Sequence, residues 1–474
     1  MKKIIVLTLV FCLTLGMLAC GQASGGGNMA ETNAAPAGEF KAGFGMVDIT
    51  PTGTVTMNCY GDGRQSTGLY TYLEARAVAI QDASGQIMIF AVGDISTAPK
   101  EFGDKIIAKI RSSLDIPEEN IILSGTHTHA SVEHTAMDNP DNVKFFSKYV
   151  DGMAKAALDA VADLKPAKIY VGSAYTNNLN FNKRYIMDDG SLLADNYPGT
   201  GTTIVRHEND PDNEMQLLKF VREGGEDILI AQYQAHPHLE GLGTLISSQG
   251  VGTFRDAAEA DMDIHVLAWN GAAGNLNNKS RIASEMRTTD PREWGKLLWQ
   301  DTKVAYDDMT EVEPGLIQVA KTTVTGKVNH EYDSLLSYAE MVRDYYKSGH
   351  SMEETTAYGM QWGIHSFQHA SRIKANFNLP ETQQIELVAW NFGEIAGVVI
   401  AFEMYDSTGI YIKEESPFQK TFIVGYSYPS YGGYIPDQEA FAVGGYEVDN
   451  CTYVSGTAEM LEEAYLGLLK DLHK

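Results

Sequence analysis

The chain has 474 residues, of which 44% are hydrophobic and 21% are charged, a composition typical of a folded globular protein with a large core. The formal net charge is −26, and no basic run follows the N-terminal segment. This charge argues against binding of nucleic acid or of an anionic membrane surface through electrostatic attraction.

The N-terminal segment has the three zones of a secretory signal: Lys2 and Lys3, an apolar stretch over residues 4–18, and Ala19 before Cys20. Its sequence MLAC at residues 17–20 resembles a bacterial lipobox, in which the cysteine is lipidated after cleavage. The apolar stretch is shorter than the roughly 20 residues that span a bilayer. Residues 21–39 are small and polar, as in a flexible tether. We therefore expect an exported lipoprotein, with residues 1–20 as signal peptide, held on the periplasmic or cell-surface side of the envelope by its lipid anchor only.

The remaining residues, 40–474, alternate between strand and helix patterns. Residues 73–82 and 86–92 predict two paired strands, 102–114 a helix and 120–123 a short buried strand. A longer amphipathic helix over 145–164 precedes a strand at 168–172. Residues 334–374 are mainly helical in pattern, and 384–400 return to strands. The order predicts an α/β fold of mixed β-sheets flanked by helices in one large domain.

The folded region contains two cysteines, Cys59 and Cys451. A disulfide between them is one interpretation outside the cytoplasm, and two buried free thiols are the alternative. Their separation in sequence does not decide between the two.

Two His-x-His pairs each follow an apolar run. His127 and His129 follow the run IIL at 121–123, and His236 and His238 follow ILIA at 228–231. Residues two apart on a strand face the same way, so each pair is expected to present both imidazoles together. His134 would then face the opposite side. Converging histidines from separate segments are typical of a zinc-type metal site, although a lone histidine at a strand end is more often structural.

Two further segments break local rules. Glu403 ends the apolar run VVIAF, where an unpaired charge would be unfavourable, so it is a candidate ligand or base or else an exposed strand end. The stretch YSYPSYGGYIP at 426–436 concentrates tyrosines and glycines around a turn. Aromatic turns are commonly structural, and this one gives only a weak functional signal by itself.

The order of these motifs resembles the neutral/alkaline non-lysosomal ceramidase family. The matching segments are GTHTH (125–129), AHP (235–237), GAAGN (271–275), the strand ending in Glu403 and YGGYI (431–435), with GMVDITP (45–51) and LEARA (73–77) before them. The resemblance implies the catalytic fold of that family and a zinc-dependent amidase. It also leads us to expect that the family's C-terminal immunoglobulin-like domain is absent, because the chain ends soon after Glu447.

The resemblance implies specific roles for individual residues. The zinc ligands fall on His127, His236, Glu403 and Tyr434, and His129 would bind substrate or water beside them. Arg184 or its neighbour Lys183 matches the family's basic position. Arg184 and Tyr431 are candidates to stabilise an oxyanion, with Tyr431 and Asp94 as supporting residues around the site.

The substrate side departs from the family pattern. Ceramidases carry the segment GDVSPN, whose serine takes part in catalysis, and this chain has GNLNN, with Asn277 in place of the serine and Asn275 in place of the aspartate. The sequence therefore predicts a zinc hydrolase of an amide or related acyl bond in a small-molecule or lipid-like substrate other than ceramide. The alternatives are a ligand-binding lipoprotein of the same fold and a metallohydrolase of another bond, such as an ester or a glycoside.

Overall fold

The computed structural model describes residues 38–59, 63–194, 203–239 and 243–474. The expected signal peptide and all but the end of the expected tether lie outside the described residues. Residues 38–474 form one compact unit. Within the described ranges, every helix is too short or too polar to cross a membrane.

The strands of the described residues are β1 (Lys41–Asp48), β2 (Gly68–Leu69), β3 (Glu74–Gln81), β4 (Ile87–Gly93), β5 (Ile121–Gly125), β6 (Lys165–Tyr175), β7 (Phe181–Asn182), β8 (Arg184–Met187), β9 (Leu192–Ala194), β10 (Ile204–His207), β11 (Glu214–Arg222), β12 (Asp227–Tyr233), β13 (Leu245–Ile246), β14 (Ile264–Asn270), β15 (Leu276–Asn277), β16 (Thr310–Val312), β17 (Ile317–Lys327), β18 (Thr382–Phe392), β19 (Ile395–Val399), β20 (Glu403–Met404), β21 (Lys420–Val424) and β22 (Tyr434–Ile435). The α-helices are α1 (Lys100–Arg111), α2 (Pro140–Ala162), α3 (Gln249–Asp261), α4 (Pro291–Tyr306), α5 (Leu336–Lys347), α6 (Met352–Gly359), α7 (Phe367–Phe377), α8 (Asp406–Glu415), α9 (Gln438–Val443), α10 (Tyr446–Asp449) and α11 (Thr457–Leu472).

A large mixed sheet runs in the order β14-β12-β11-β6-β1-β3-β4-β5, with β16 beside β6. Its two outermost pairs, β12 with β14 and β4 with β5, are parallel, and the inner pairs are antiparallel. A second sheet, β17-β18-β19-β21, packs on one face of the first. Large aromatic side chains fill the space between the sheets, where the ring of Phe90 lies 5.1 Å from Trp269 and 4.9 Å from Trp390.

Helices cover the outer faces of both sheets. Helices α1 and α2 pack against β1, β3, β4 and β5, and α3 and α4 pack against the other half of the large sheet. Helices α8 and α11 cover the second sheet. The predicted fold class of mixed sheets flanked by helices is therefore confirmed, in the form of four layers.

The individual elements follow the sequence pattern, with shifts at their ends. The strands predicted at 73–82 and 86–92 are the antiparallel pair β3 and β4. Helix α2 starts before its predicted position because the side chain of Asn139 caps it and Pro140 occupies its first turn. Of the two interpretations for Cys59 and Cys451, the structure has free thiols and no disulfide, although only Cys451 is buried and Cys59 is exposed.

Helices α5, α6 and α7 form a separate helical segment between β17 and β18. Their apolar side chains make a small core of their own, with Val342, Ile364 and Ile373 fully buried or nearly so. The insertion of this segment between two paired strands leaves one end of α7 next to the site described below.

Close packing of α2 on β1 depends on glycine. A Cβ atom at Gly45 would lie 2.2 Å from the carbonyl oxygen of Ala156, and one at Gly43 would lie 2.1 Å from that of Ala160. Both neighbours are helix backbone atoms, which cannot turn aside as a flexible side chain does. The helix can therefore lie this close to the strand only because these positions have no side chain.

Replacement of Gly45 by alanine should lower the free energy of unfolding by about 2 kcal/mol, because α2 must move away from β1. Gly467→Ala is the matched control, since Gly467 lies in α11 with open space around the site of its Cβ. Chemical denaturation monitored by circular dichroism measures both variants. We expect the control to be neutral or slightly stabilised, and a Gly45→Ala variant as stable as the wild type would contradict the packing described here.

Candidate metal centre

The candidate site lies where several strands end at their carboxyl termini. His127 follows β5, His236 follows β12, and Glu403 follows β19. Backbone hydrogen bonds hold these ends together, since Gly125 N–H donates to the carbonyl of Tyr426 (3.1 Å) and Gly425 N–H to that of Asn270 (2.8 Å). The segment after β21 thus joins the ends of β5 and β14, which lie at opposite edges of the large sheet.

The side chain of Asn270, at the end of β14, links the two histidine-bearing loops. Its Nδ2 donates to the carbonyls of Thr126 (3.3 Å) and Ala235 (3.0 Å), and its Oδ1 accepts from Ala235 N–H (3.2 Å). Asn270 is 2% exposed, so water does not compete for these bonds. The residues directly before His127 and His236 are therefore fixed relative to each other.

Three imidazoles converge on one point. The Nε2 atoms of His127, His129 and His236 form a triangle with edges of 3.2 Å (His127 to His236), 3.2 Å (His129 to His127) and 3.0 Å (His236 to His129). Nitrogens bound to one tetrahedral zinc ion lie about 3.3 Å apart, given zinc–nitrogen bonds of about 2.0–2.1 Å. The spacing of the triangle is close to that value.

The tautomers of two of the histidines support the same interpretation. Nδ1 of His127 donates to the carbonyl of Ser96 (2.7 Å), and Nδ1 of His236 faces the carbonyl of Ala273 (3.4 Å). A neutral imidazole with its proton on Nδ1 has a lone pair on Nε2, so these two lone pairs point at each other. Two facing lone pairs repel, whereas a cation between them would bind both. The donor set therefore fits a metal ion.

Burial favours the neutral, metal-binding form of two of the histidines, His129 and His236. It lowers the pKa of His129 well below the ordinary value, and the neighbouring His127 lowers it further. Burial likewise lowers the pKa of His236, with Lys183 and His127 as further causes. Protonation of His129 or His236 is therefore unfavourable in this cluster.

Glu403 and Tyr434 complete the predicted ligand set. The short parallel pairing of β20 with β22 places the two residues opposite each other. Glu403 Oε2 lies 3.4 Å from His127 Nε2. Burial raises the pKa of Glu403, but the larger combined effect of His127, Lys183 and the Tyr434 hydroxyl leaves that pKa below the ordinary value. Glu403 therefore supplies an anionic oxygen beside the imidazoles.

The structure brings His129 as close to the centre as His127 and His236, although the sequence assigned it to the substrate side. Strand alternation does not bring His127 and His129 together, contrary to the expectation from the sequence, because β5 ends at Gly125 and His127 has a left-handed backbone φ of 63°. The two imidazoles meet through this turn and not through a shared strand face. For the same reason His134, expected to face away, lines the cavity with them.

The cluster lies in a cavity of about 500 Å³. All four predicted metal ligands line it, as do His129 and Asn277. Side chains that the sequence analysis did not single out are Met352, Gln368, Arg372, Tyr446 and Asn450. Several of these belong to the helical segment and to α10, whose motifs carry no signal of chemistry in the sequence.

Arg184 and Tyr431 are not among the described residues that line this cavity. Arg184 is fully buried and pairs with Glu208 (2.6 Å) and Glu447 (3.3 Å), so its charge is already neutralised. Lys183, the alternative basic residue, does line the cavity, and its Nζ lies 3.5 Å from the Tyr434 hydroxyl. The Tyr431 hydroxyl accepts a hydrogen bond from the backbone N–H of Glu386 instead (3.1 Å).

Two residues support the site from behind. The ring of Tyr426 stacks on His127 at 3.8 Å between centroids and 19° between planes. Asp94 is fully buried and pairs with Arg255 at 2.7 Å, while its backbone carbonyl accepts from the Ser131 hydroxyl (2.8 Å). Asp94 therefore braces the loop after His129 without entering the cavity, in keeping with its predicted supporting role.

Comparison with known proteins agrees with this architecture. The family model "Neutral/alkaline non-lysosomal ceramidase, N-terminal" matches residues 40–272. A neutral ceramidase of Pseudomonas aeruginosa is 30% identical over 199 residues, which cover 40% of this chain and 28% of that protein. A neutral ceramidase of Oryza sativa subsp. japonica is 26% identical over 200 residues, covering 39% and 24% respectively. The match thus spans only about a quarter of the length of these relatives.

The crystal structure of neutral ceramidase from Pseudomonas aeruginosa superposes with a TM-score of 0.68 at 18% identity, covering 92% of this chain and 74% of that chain. The fold is therefore a ceramidase-like hydrolase fold. The resemblance seen in the sequence is confirmed, because the family model matches residues 40–272 and the fold matches that of a neutral ceramidase. Glu403, Tyr434 and Asn277 lie beyond the family model's match, so their assignment depends on the geometry described above.

Purified protein incubated with zinc and then desalted should contain about one metal ion per chain, measured by inductively coupled plasma mass spectrometry. His236→Ala should lose the metal, because it removes one of the three imidazole nitrogens that converge at the centre. His350→Ala, outside the cavity lining, is the control and should keep it. Unchanged metal content in His236→Ala would contradict the site. His129→Ala distinguishes two roles for His129. The variant should lose the metal if His129 is a ligand, and it should keep the metal if His129 contacts only the substrate.

Proposed function

We propose that the protein is a zinc-dependent hydrolase that cleaves an amide or related acyl bond in a substrate other than ceramide. The observation that carries this proposal is the convergence of three imidazole nitrogens and the Glu403 carboxylate within one cavity. The ceramidase-like hydrolase fold supports the reaction class, because the cluster occupies the carboxyl ends of strands in that fold.

His127, His236, Glu403 and Tyr434 are the residues we assign to the metal, with His129 beside them. A zinc ion supplies Lewis acidity, which polarises an acyl carbonyl and makes water nucleophilic near neutral pH. The chain's own contribution is to hold the imidazoles neutral and correctly oriented through Ser96, Ala273 and the stacked ring of Tyr426.

Lys183 is the residue best placed to stabilise negative charge that develops on the substrate oxygen. Its ammonium lines the cavity and lies 3.5 Å from the Tyr434 hydroxyl and 3.3 Å from Glu447. The carboxylate of Glu447 is fully buried and holds the ammonium in place. A fixed donor of this kind stabilises an oxyanion more than a mobile surface lysine does, because it need not be reoriented during the reaction.

Asn277 is the reason for excluding ceramide as the favoured substrate. Its side chain lines the cavity where the family has a catalytic serine, and an amide cannot take over a proton as a hydroxyl can. Asn275 has a structural partner instead of a catalytic one, since its amide donates to Asp406 Oδ1 (2.6 Å) and accepts from Asp406 N–H (2.9 Å). Both changes leave the metal residues intact and alter the substrate side.

The second candidate function is a ligand-binding lipoprotein that uses the same cavity without turnover. The loss of the serine at position 277 favours it, and the complete donor set for a metal opposes it. Activity measurements separate the two candidates.

Zinc-loaded protein should release octanoic acid from a panel of N-octanoyl amides, and a chelator should abolish the release until zinc is added back. An N-octanoyl ceramide should react roughly a hundredfold more slowly than the best amide, because the serine's contribution to proton transfer is missing. Mass spectrometry of the fatty acid measures both rates. Activity that survives complete removal of metal contradicts the mechanism, ceramide as the fastest substrate contradicts the role of Asn277, and zinc binding without any turnover supports the binding protein.

We further propose that the protein is exported and anchored through a lipid on Cys20, as the MLAC segment suggests. Cys20→Ala expressed in a bacterial host should move from the membrane fraction to the precursor or soluble fraction, and it should no longer incorporate labelled palmitate. Cys12→Ala, inside the apolar stretch, is the matched control and should label normally. Labelling of the Cys20→Ala variant would contradict the anchor.

A further inference from the structure

Arg372 places a positive charge beside the metal cavity without a carboxylate partner among the described residues. It lies on α7 and lines the same cavity as the three histidines. The arginines that are fully buried in the described part of the chain are all paired: Arg76 with Glu74 at 2.7 Å, Arg184 with Glu208 at 2.6 Å, Arg255 with Asp94 at 2.7 Å, and Arg222 with Asp163. Arg372 is partly exposed, but its Nε is buried, and a partly desolvated charge is unfavourable unless something neutralises it.

The free edge of the guanidinium has a defined chemistry. Nη1 donates to the Thr452 hydroxyl at 2.7 Å. Nε is buried and has no hydrogen-bond partner in the described part of the chain, and Nη2 has none there either. The Nε and Nη2 donors form one side of the planar guanidinium, and this side matches the two oxygens of a carboxylate or a related oxyanion.

The surroundings of Arg372 leave room for a ligand and add a second polar group. Gly433 also lines the cavity, and a Cβ there would lie 2.8 Å from Nη2, so the absence of a side chain lets the guanidinium reach this position. Gln368 lies one turn earlier on the same face of α7 and lines the cavity too. Its Oε1 is buried without a hydrogen-bond partner among the described residues. Since the oxygen and nitrogen of an amide are interchangeable by rotation, this side chain can donate to the same ligand.

The charged groups near Arg372 do not neutralise its guanidinium. Burial lowers the pKa of Arg372, and the nearby groups that oppose this effect are Cys451, Glu403, Tyr446 and Tyr453. Among these only Glu403 is a carboxylate, and it faces the histidine cluster, where a metal ion would use its charge. The cavity's other cation, Lys183, already has Glu447 as a partner at 3.3 Å.

We propose that Arg372, with Gln368 beside it, binds an oxyanion group on the substrate, so that the protein acts on acylated compounds that carry a carboxylate, sulfonate or phosphate. This inference rests on the proposed hydrolase function and names its substrate class. The site would then prefer an anionic substrate to ceramide, because ceramide is neutral and cannot form an ion pair with this guanidinium.

The test compares substrates that differ only in charge: N-octanoylglycine, its neutral amide N-octanoylglycinamide, N-octanoyltaurine and N-octanoylphosphoethanolamine, each with zinc-loaded protein. The wild type should show a kcat/KM at least about tenfold higher for one or more of the anions than for the neutral amide, mainly through KM. The best anion identifies the oxyanion. Equal values for all four compounds would overturn the proposal while leaving the hydrolase function standing.

Arg372→Gln should bring the ratio of anionic to neutral kcat/KM close to one. Lys374→Gln removes a charge from the same helix, where it pairs with Glu340 outside the cavity lining, and should keep the wild-type ratio. Arg372→Lys keeps the charge but lacks the planar guanidinium, so its ratio of anionic to neutral kcat/KM should lie between those of the wild type and Arg372→Gln. This second variant tests the proposal if Arg372→Gln does not fold. Folding is checked by thermal denaturation. An unchanged ratio in the arginine variants would refute the role of this residue.

If no compound is cleaved, the hydrolase proposal fails and the oxyanion subsite is decided by binding. Isothermal titration calorimetry with N-octanoylglycine and N-octanoylglycinamide then compares the wild type with Arg372→Gln. Tighter binding of the carboxylate, lost in the variant, supports the subsite. Equal binding of the two compounds to the wild type overturns it.

Discussion

The geometry of the site depends on the hydrogen bonds that the side-chain amide of Asn270 makes. It bonds to backbone atoms directly before both His127 and His236, from a position where solvent does not reach it. A metal site needs donors from separate segments held to within a fraction of an ångström. Here the strands supply direction, but β5 and β14 lie at opposite edges of the large sheet, so pairing within the sheet alone cannot set their spacing. One buried side chain, together with the backbone bonds around Gly425 and Tyr426, does so.

The sequence predicted the α/β class of mixed sheets flanked by helices, and it singled out the histidines that the structure brings together, since both depend on local signals. Apolar alternation in β3 and β4 and the histidines after β5 and β12 are visible without a structure. The arrangement of His129 was not predictable by strand alternation, because the left-handed turn at His127 replaces the strand just where the side chains matter. Likewise, the sequence could not decide between the adjacent residues Lys183 and Arg184. The structure shows that Glu208 and Glu447 neutralise Arg184.

Residues far apart in the chain escaped prediction for a different reason. Gln368 and Arg372 lie on an ordinary amphipathic helix, and nothing in their pattern separates them from surface residues. Their significance appears only when the helical segment between β17 and β18 is placed against the loops after the strands. The free edge of Arg372 is a property of its surroundings, namely Thr452 on one side and the bare backbone of Gly433 on the other.

The molecule therefore divides its cavity between two kinds of structure. His127, His236 and Glu403 follow strands of the two large sheets, and buried backbone and amide hydrogen bonds hold the segments that carry the two histidines. Asn277, Gln368 and Arg372 lie on a short strand and on an inserted helix, where a side chain can change without moving a sheet. If the proposed function holds, this arrangement allows the metal donors to stay the same while the recognised substrate group changes. In a chain with a net charge of −26, the guanidinium of Arg372, which has no carboxylate partner among the described residues, places a positive charge beside the histidine cluster.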